Sequence, residues 1–276
     1  MSLRLGKIGY LNVLPIYHPL ETGIIEHDFS IKSGPPSALN RLMDAGELDI
    51  SATSSIEYAR HPEKYYLVPN IAIGSRGPVQ SVLLLSRYSM SDLAGKTILV
   101  SSQTHTSAAL LQVLLAELWK VNVEFISGDA TQELKNGNRP DAILAIGDEA
   151  LNLRHHQDYP HRTDLGEAWR ELTSLPFIFG VWIVQRSSLK KRSEAIQSGC
   201  TQLIAAKDWG TENMSTMCLL ASEDSCLNRS EMCSYFDGLV YDLGEEELEG
   251  LKLFYQHLQT NNIIDDVPDI VFLPQS

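Results

Sequence analysis

The sequence predicts an α/β protein built as two lobes with a ligand cleft between them. Three observations carry that expectation. Strand-like and helix-like patterns alternate from the N-terminus to about residue 186, as in β-α-β units, which implies parallel pairing. Polar clusters stand where strands hand over to helices, at Asn12, at Ala52 to Ser55 and at Gln103 to Ser107. Open α/β sheets bind ligands at such carboxyl ends. The remainder, from Ser187, is mostly helical. With no strands of its own to pack on, it is expected to return and cover the first lobe.

The elements follow in order. LRLGKIGY reads as a strand that delivers Asn12 into a turn, and Leu14-Pro15 starts the next element, since proline is tolerated in a helix's first turn. PPSALNRLMDAGE places Leu39, Leu42 and Met43 at helical spacing and stops at Gly46. LDISA is a strand, with Ser54 or Ser55 available to cap the helix IEYARH. YYLVPNIAIG and VQSVLLLS read as strands around the turn Ser75-Arg76-Gly77-Pro78. SMSDLAGK is a helical turn before the strand KTILVS, and Thr106 or Ser107 caps the apolar helix SAALLQVLLAELWK. VNVEFISG, ATQELKNG and DAILAIG form a further β-α-β series, followed by the helices GDEALNL and LGEAWRELTSLP. FIFGVWIVQ is a long apolar strand, and GEEELEGLKLFYQHLQTN is the last clear helix. This organisation suggests a discontinuous first domain, 1–86 plus 187–276, and an inserted domain, 87–186, with VQSVLLLS and FIFGVWIVQ as a two-strand hinge.

Composition narrows the function. A formal charge of -13, with no basic cluster beyond Lys190-Lys191-Arg192, argues against nucleic acid as a partner. No apolar run is long enough to span a membrane and no signal-peptide h-region is visible, so a cytoplasmic protein is expected. Cys200, Cys218, Cys226 and Cys233 are unevenly spaced, which suggests reduced thiols and no zinc site. The eight histidines show no metal spacing, and no G-x-G-x-x-G, Walker A, H-E-x-x-H or G-x-S-x-G pattern occurs. No cofactor is expected.

Hydroxyls at a helix start, together with exposed first-turn amides, form an anion site. Ser54-Ser55 and Thr106-Ser107 would supply one in each lobe, enough for a dicarboxylate bridging the cleft. Each pair is also explained as an ordinary helix cap. Asn12 could equally satisfy its own turn. Asp148, after a buried strand, is a candidate for chemistry or a first-turn charge.

The segments GYLN-x-x-P, SALNRLMDAGELDISATSSIEY, GPVQSVLLLS, THTSAALLQVLL, AIGDEAL, DLGEAW-x-x-LTSLPF-x-F-x-VW and YDLGEEELEGLKLFY occur together and in this order. In that combination the chain resembles the chorismate dehydratases of the futalosine route to menaquinone, over nearly its whole length. The resemblance implies a type II periplasmic-binding-protein-like fold with mixed sheets, a cytoplasmic enzyme, and a hydro-lyase reaction on chorismate. Gly9-Tyr10-Leu11-Asn12 stands where the sister 1,4-dihydroxy-6-naphthoate synthases carry a Ser-Pro-Cys-Pro-Asn-Asp type of motif. The second cluster departs from the family's Ser-x-Thr-Ser pattern, with Thr104 at the serine position and His105 next. The implied substrate-binding set is Ser54, Ser55, Ser81, Thr104, Thr106 and Ser107. Asn12 is expected at the reacting edge, and Asp148 or the substrate's own carboxylate as the base. The sister synthase activity and, on fold grounds, a non-catalytic small-anion solute-binding protein are the alternatives, and the chain is expected to be a monomer or homodimer.

Overall fold

A computed structural model describes residues 2–101 and 104–274. The first sheet starts from β1 (Leu3–Ile8), which pairs in parallel with β2 (Phe29–Gly34) and β3 (Ile50–Ser54). The helices α1 (Leu14–Glu21) and α2 (Pro36–Asp44) connect them, and α3 (Ser55–Arg60) follows β3 directly. β4 (Tyr65–Ser75) completes this part of the sheet. A second sheet holds β5 (Val82–Ser86), β6 (Thr97–Val100), β7 (Glu124–Ser127), β8 (Ala142–Ile146) and β9 (His161–Asp164). The intervening helices are α4 (Thr106–Leu114), α5 (Ala130–Lys135) and α6 (Gly147–Leu153), and α7 (Leu165–Thr173) follows β9. The chain then returns through β10 (Phe177–Gln185) and closes with α8 (Arg186–Glu212), α9 (Met214–Glu223), α10 (Arg229–Asp237), β11 (Leu239–Val240) and α11 (Glu245–Thr260). Strand order is β11-β4-β10-β3-β1-β2 in one sheet and β7-β6-β8-β5-β9 in the other.

Alternation alone implied parallel sheets, and both are mixed. β10 runs antiparallel between β3 and β4, and β5 runs antiparallel between β8 and β9. The cause is the double crossing: a strand that brings the chain into a sheet from the other lobe enters against the β-α-β direction. The crossings themselves precede β5 and β10. β5 belongs to the second sheet and β10 to the first, so a division by sheets would fall near residues 80 and 176 instead of 86 and 186.

One apolar cluster runs through both lobes and includes Leu5, Ile16, Tyr17, Trp182, Leu110, Trp169 and Phe254. A smaller one, with Leu83, Leu85, Leu99, Ile143 and Tyr159, lies on the other face of the second sheet. Alternation along β5 explains the split, since Val82 and Leu84 face the first cluster and Leu83 and Leu85 the second. The C-terminal helical region packs back on the first sheet, with α8 against α1 and α11 against β10. The thiols depart from expectation: Cys218 on α9 and Cys233 on α10 form a disulfide, while Cys200 is buried and free and Cys226 is exposed. The spacing of fifteen residues hid this pair, because the turn between α9 and α10 is what brings the two helices together.

Asp49, at the start of β3, ties α8 to the sheet. Its buried carboxylate accepts from the Arg4 backbone and guanidinium at 2.7–3.0 Å, from Ser188 Oγ at 2.7 Å and from Arg192 Nη1 at 3.0 Å. Burial pushes this carboxyl's pKa up, but the Arg4 and Ser188 hydrogen bonds outweigh it and hold the pKa at about 2. A folded-state value below the unfolded one, roughly 3.9, stabilises above that pH and is lost as pH falls toward 2. Urea unfolding of the wild type should therefore lose about 2 kcal/mol between pH 4 and pH 2 through this group. Asp49→Asn should be less stable at neutral pH with a shallower slope in that window. An unchanged slope would remove Asp49 from the acid response.

Candidate active site

The carboxyl ends of β1 and β3 and the start of α4 meet in a cavity between the two sheets. Tyr10, Asn12, Ser54, Ser81, Thr104, His105, Thr106 and Ser107 line it, with Ile8, Val79, Ile146, Phe179 and Trp182 among its apolar walls. No Asp, Glu, Lys or Arg lines it among the described residues. Chemistry here rests on amides, hydroxyls and one imidazole.

Asn12 sits in the 3-10 turn Leu11–Val13 that follows β1. The N-cap residue of that turn, Tyr10, makes no side-chain capping bond. The turn is held instead by its backbone: the Tyr241 hydroxyl donates to the Asn12 carbonyl at 3.0 Å, and the Leu11 amide donates to Asp148 Oδ1 at 3.3 Å. The Asn12 side-chain oxygen is buried with no partner among the described residues. Ser54 behaves the same way. It occupies the N-cap position of α3 by backbone angle, yet its hydroxyl makes no capping bond and stays buried and unpaired. Thr104 Oγ1, from the other lobe, is the third such oxygen. A buried polar atom left unpaired costs about 1–3 kcal/mol. All three residues line one cavity, which marks a place prepared for polar ligand atoms.

Ser55 is placed otherwise than the sequence suggested. Ser55 does not line the cavity. Its hydroxyl and Thr106 Oγ1 are 3.4 Å apart, and Thr106 Oγ1 also accepts from the Ile56 amide at 3.2 Å. The two hydroxyls thus join the starts of α3 and α4 across the lobes. Ser107 and Ser81 do line the cavity, and the Ser81 hydroxyl accepts from the buried Tyr235 hydroxyl at 3.1 Å. Gln103, at the head of the second cluster, lies outside the described residues.

Asp148 stands in the first turn of α6, and its carboxyl's pKa is raised by burial, partly offset by the Leu11 hydrogen bond. It does not line the cavity. Next to it, Gly147 has φ +57°, and a Cβ there would lie 2.9 Å from the Tyr10 ring. Only glycine gives both that backbone and that approach without strain. Tyr10 against Gly147, Asp148 on Leu11 and Thr106 on Ile56 therefore hold the lobes together around the cavity. The hinge is fixed by Asp164, the N-cap of α7, whose carboxylate also accepts from the Val79 and Gln80 amides at 3.0 and 2.7 Å. Sequence reading missed Tyr10, Tyr235 and Tyr241 as parts of this site. Tyr10 lies within the recognised GYLN segment, but Tyr235 and Tyr241 are far away in the chain and give no local signal.

Among the described residues no group of His, Cys, Asp and Glu could hold a metal ion, and no helix is long and apolar enough to cross a membrane.

Comparison with known proteins agrees with this architecture. A family model described as menaquinone biosynthesis matches residues 3–260. A chorismate dehydratase of Thermus thermophilus is 27% identical over 92% of this chain and 94% of its own length. A chorismate dehydratase of Campylobacter jejuni is 30% identical over 68% of this chain and 70% of its own. Among solved structures, a protein of Archaeoglobus fulgidus superposes with a TM-score of 0.75 at 19% identity, over 95% of this chain and 98% of that one. The periplasmic aliphatic sulphonate binding protein of Escherichia coli does so with 0.64 at 18% identity, over 99% and 92%. Likenesses at that identity are likenesses of fold, and the fold is that of periplasmic binding proteins.

Proposed function

The chain belongs to the menaquinone biosynthesis family, and from that premise we propose that it is a chorismate dehydratase, converting chorismate to 3-[(1-carboxyvinyl)oxy]benzoate and water. The carrying observation is that Asn12, Ser54 and Thr104, each with a buried unpaired oxygen, line one cavity without acidic or lysine side chains among its described walls. Such a site offers hydrogen-bonding groups to a polar ligand and no carboxylate or lysine of its own among its described walls.

The C3 hydrogen of chorismate is vinylogous to the ring carboxylate, so its removal gives a dienolate. Expulsion of the C4 hydroxyl then makes the ring aromatic, and the abstracted proton leaves with that hydroxyl as water. The protein has to orient the ring and to donate hydrogen bonds to the carboxylate that gains charge. Ser54 and Ser81 would serve one end of the substrate. Thr104, Ser107 and the first-turn amides of α4 would serve the other. Ser55 and Thr106 would keep the lobes drawn together. Asn12 would hold the C4 hydroxyl as it leaves. A neutral amide is too weak a base for the C3 proton, which falls to the enolpyruvyl carboxylate of the substrate itself.

Asp148 then has a positioning role, holding the Leu11–Asn12 turn through the Leu11 amide. Asp148→Asn keeps an acceptor oxygen and should turn over within about threefold of wild type. A general base would be worth about 10²–10⁴, so a loss of that size would return Asp148 to the chemistry. The function is tested by incubating purified protein with chorismate and following ultraviolet absorbance and product mass. An aromatic product lighter than chorismate by one water is expected. Absence of any product would overturn the proposal.

A further inference from the structure

A hydroxyl in a cavity wall donates or accepts according to what stands behind it, since it has one proton and two lone pairs. Thr53, on the wall, gives its proton to Asn40 Oδ1 at 2.7 Å. Thr106 is held between the Ile56 amide and the Ser55 hydroxyl. The hydroxyls of Ser54 and Thr104 have no partner among the described residues. Ser81 differs from all of these. It accepts from the Tyr235 hydroxyl at 3.1 Å, while its own proton reaches only the Val79 carbonyl at 3.4 Å, a long and weak contact.

Tyr235 is placed to donate. It is fully buried in α10, and its hydroxyl has no other partner among the described residues, so Ser81 is the acceptor its proton requires. Burial raises the phenol's pKa, the Ser81 hydrogen bond offsets part of that, and Asp148 raises it further, so the proton stays on Tyr235. The helix that carries it is itself held. A capping box of Asn228 and Glu231 starts α10. One residue before Tyr235, the Ser234 carbonyl accepts from Gln80 Nε2 at 3.0 Å, so α10 grips two consecutive residues of the crossover into β5.

We propose that Tyr235 is a positioning residue for the reaction: its hydroxyl occupies the acceptor side of Ser81 and turns the Ser81 proton into the cavity, toward the ring carboxylate that gains charge. The inference rests on the reaction proposed above and adds how one of its donors is aligned. Two hydroxyls in series strengthen each other. A donor already aimed at growing charge needs no reorientation during the step. The distant Val79 carbonyl competes weakly for that proton once a carboxylate is present.

Steady-state kinetics with chorismate on Tyr235→Phe, Ser81→Ala and the double variant read this directly. Tyr235→Phe keeps the buried ring, and its kcat should fall about tenfold, the worth of one hydrogen bond, with KM within about twofold. Ser81→Ala should lose at least as much. Adding Tyr235→Phe to it should change kcat by less than about twofold, because the phenol then has no proton to align. The double variant leaves neither hydroxyl unpaired, so it carries the test even where Tyr235→Phe alone does not fold. Gln80→Ala removes the neighbouring bond to α10 and should keep wild-type turnover. An equal loss in Gln80→Ala would make α10 a mere prop for the crossover and overturn the inference. So would full kcat in Tyr235→Phe or Ser81→Ala, a loss confined to KM, or losses that multiply in the double variant. Each of these outcomes leaves the proposed reaction standing, whereas a wild type inert toward chorismate would overturn both.

Discussion

Replacing Asn12 by alanine should leave a folded protein whose turnover of chorismate falls by about 10²–10³, the usual effect of deleting one polar group that acts on charge developing in a transition state. The turn carrying Asn12 does not depend on its side chain. The Tyr241 hydroxyl and Asp148 grip its backbone, and the Asn12 side-chain oxygen makes no hydrogen bond among the described residues. The unfolding midpoint of Asn12→Ala should therefore stay within about 0.5 kcal/mol of wild type, or rise, because a buried unpaired oxygen has been removed. The loss should sit in kcat more than in KM. Unchanged turnover would take Asn12 out of the mechanism.

The second large effect concerns stability. Gly210 lies buried in α8 where that helix crosses α1, and a Cβ at this position would come within 1.8 Å of the Pro15 carbonyl oxygen. Glycine to alanine inside a helix ordinarily stabilises by about 1 kcal/mol. Here the obstacle is backbone, which cannot swing aside, so Gly210→Ala should destabilise by about 3 kcal/mol, the upper end of overpacking effects. In a chain of this size that lowers the thermal midpoint by several degrees, at roughly 2–4 °C per kcal/mol. Pro15 follows the Asn12 turn by three residues, so an α1 displaced from α8 also moves the proposed reacting edge. Scanning calorimetry and turnover should fall together. A stabilised Gly210→Ala would contradict the packing described.

Much of the fold could be read from the chain because buried strands and amphipathic helices leave periodic traces. KTILVS, DAILAIG and FIFGVWIVQ are strands in the structure, and GEEELEGLKLFYQHLQTN is α11. What escaped lies at edges. β2 (FSIKSG) and β9 (HRTD) are edge strands with polar, exposed residues, and they look like loops without their neighbours. The direction of β5 and β10 was also hidden, because strand direction is set by where the chain crosses between lobes. The site was legible in kind and only partly in detail. Asn12, Ser54, Ser81, Thr104, Thr106 and Ser107 line one cavity. Ser55 and Thr106, with the same local pattern, bond to each other because the two lobes bring α3 and α4 together. The tyrosines behind Asn12 and Ser81 come from the C-terminal region, and no spacing rule relates residues so far apart.

The central claim is that this cavity removes water from chorismate and does not merely hold it. Proton NMR of chorismate during incubation with the purified wild-type protein tests it most directly. The account predicts that the signals of the ring's sp³ C3 and C4 protons disappear while a set of aromatic protons grows, with the enolpyruvyl methylene protons retained. Ligand signals that broaden on binding and never convert would contradict it, and would leave a binding protein in its place.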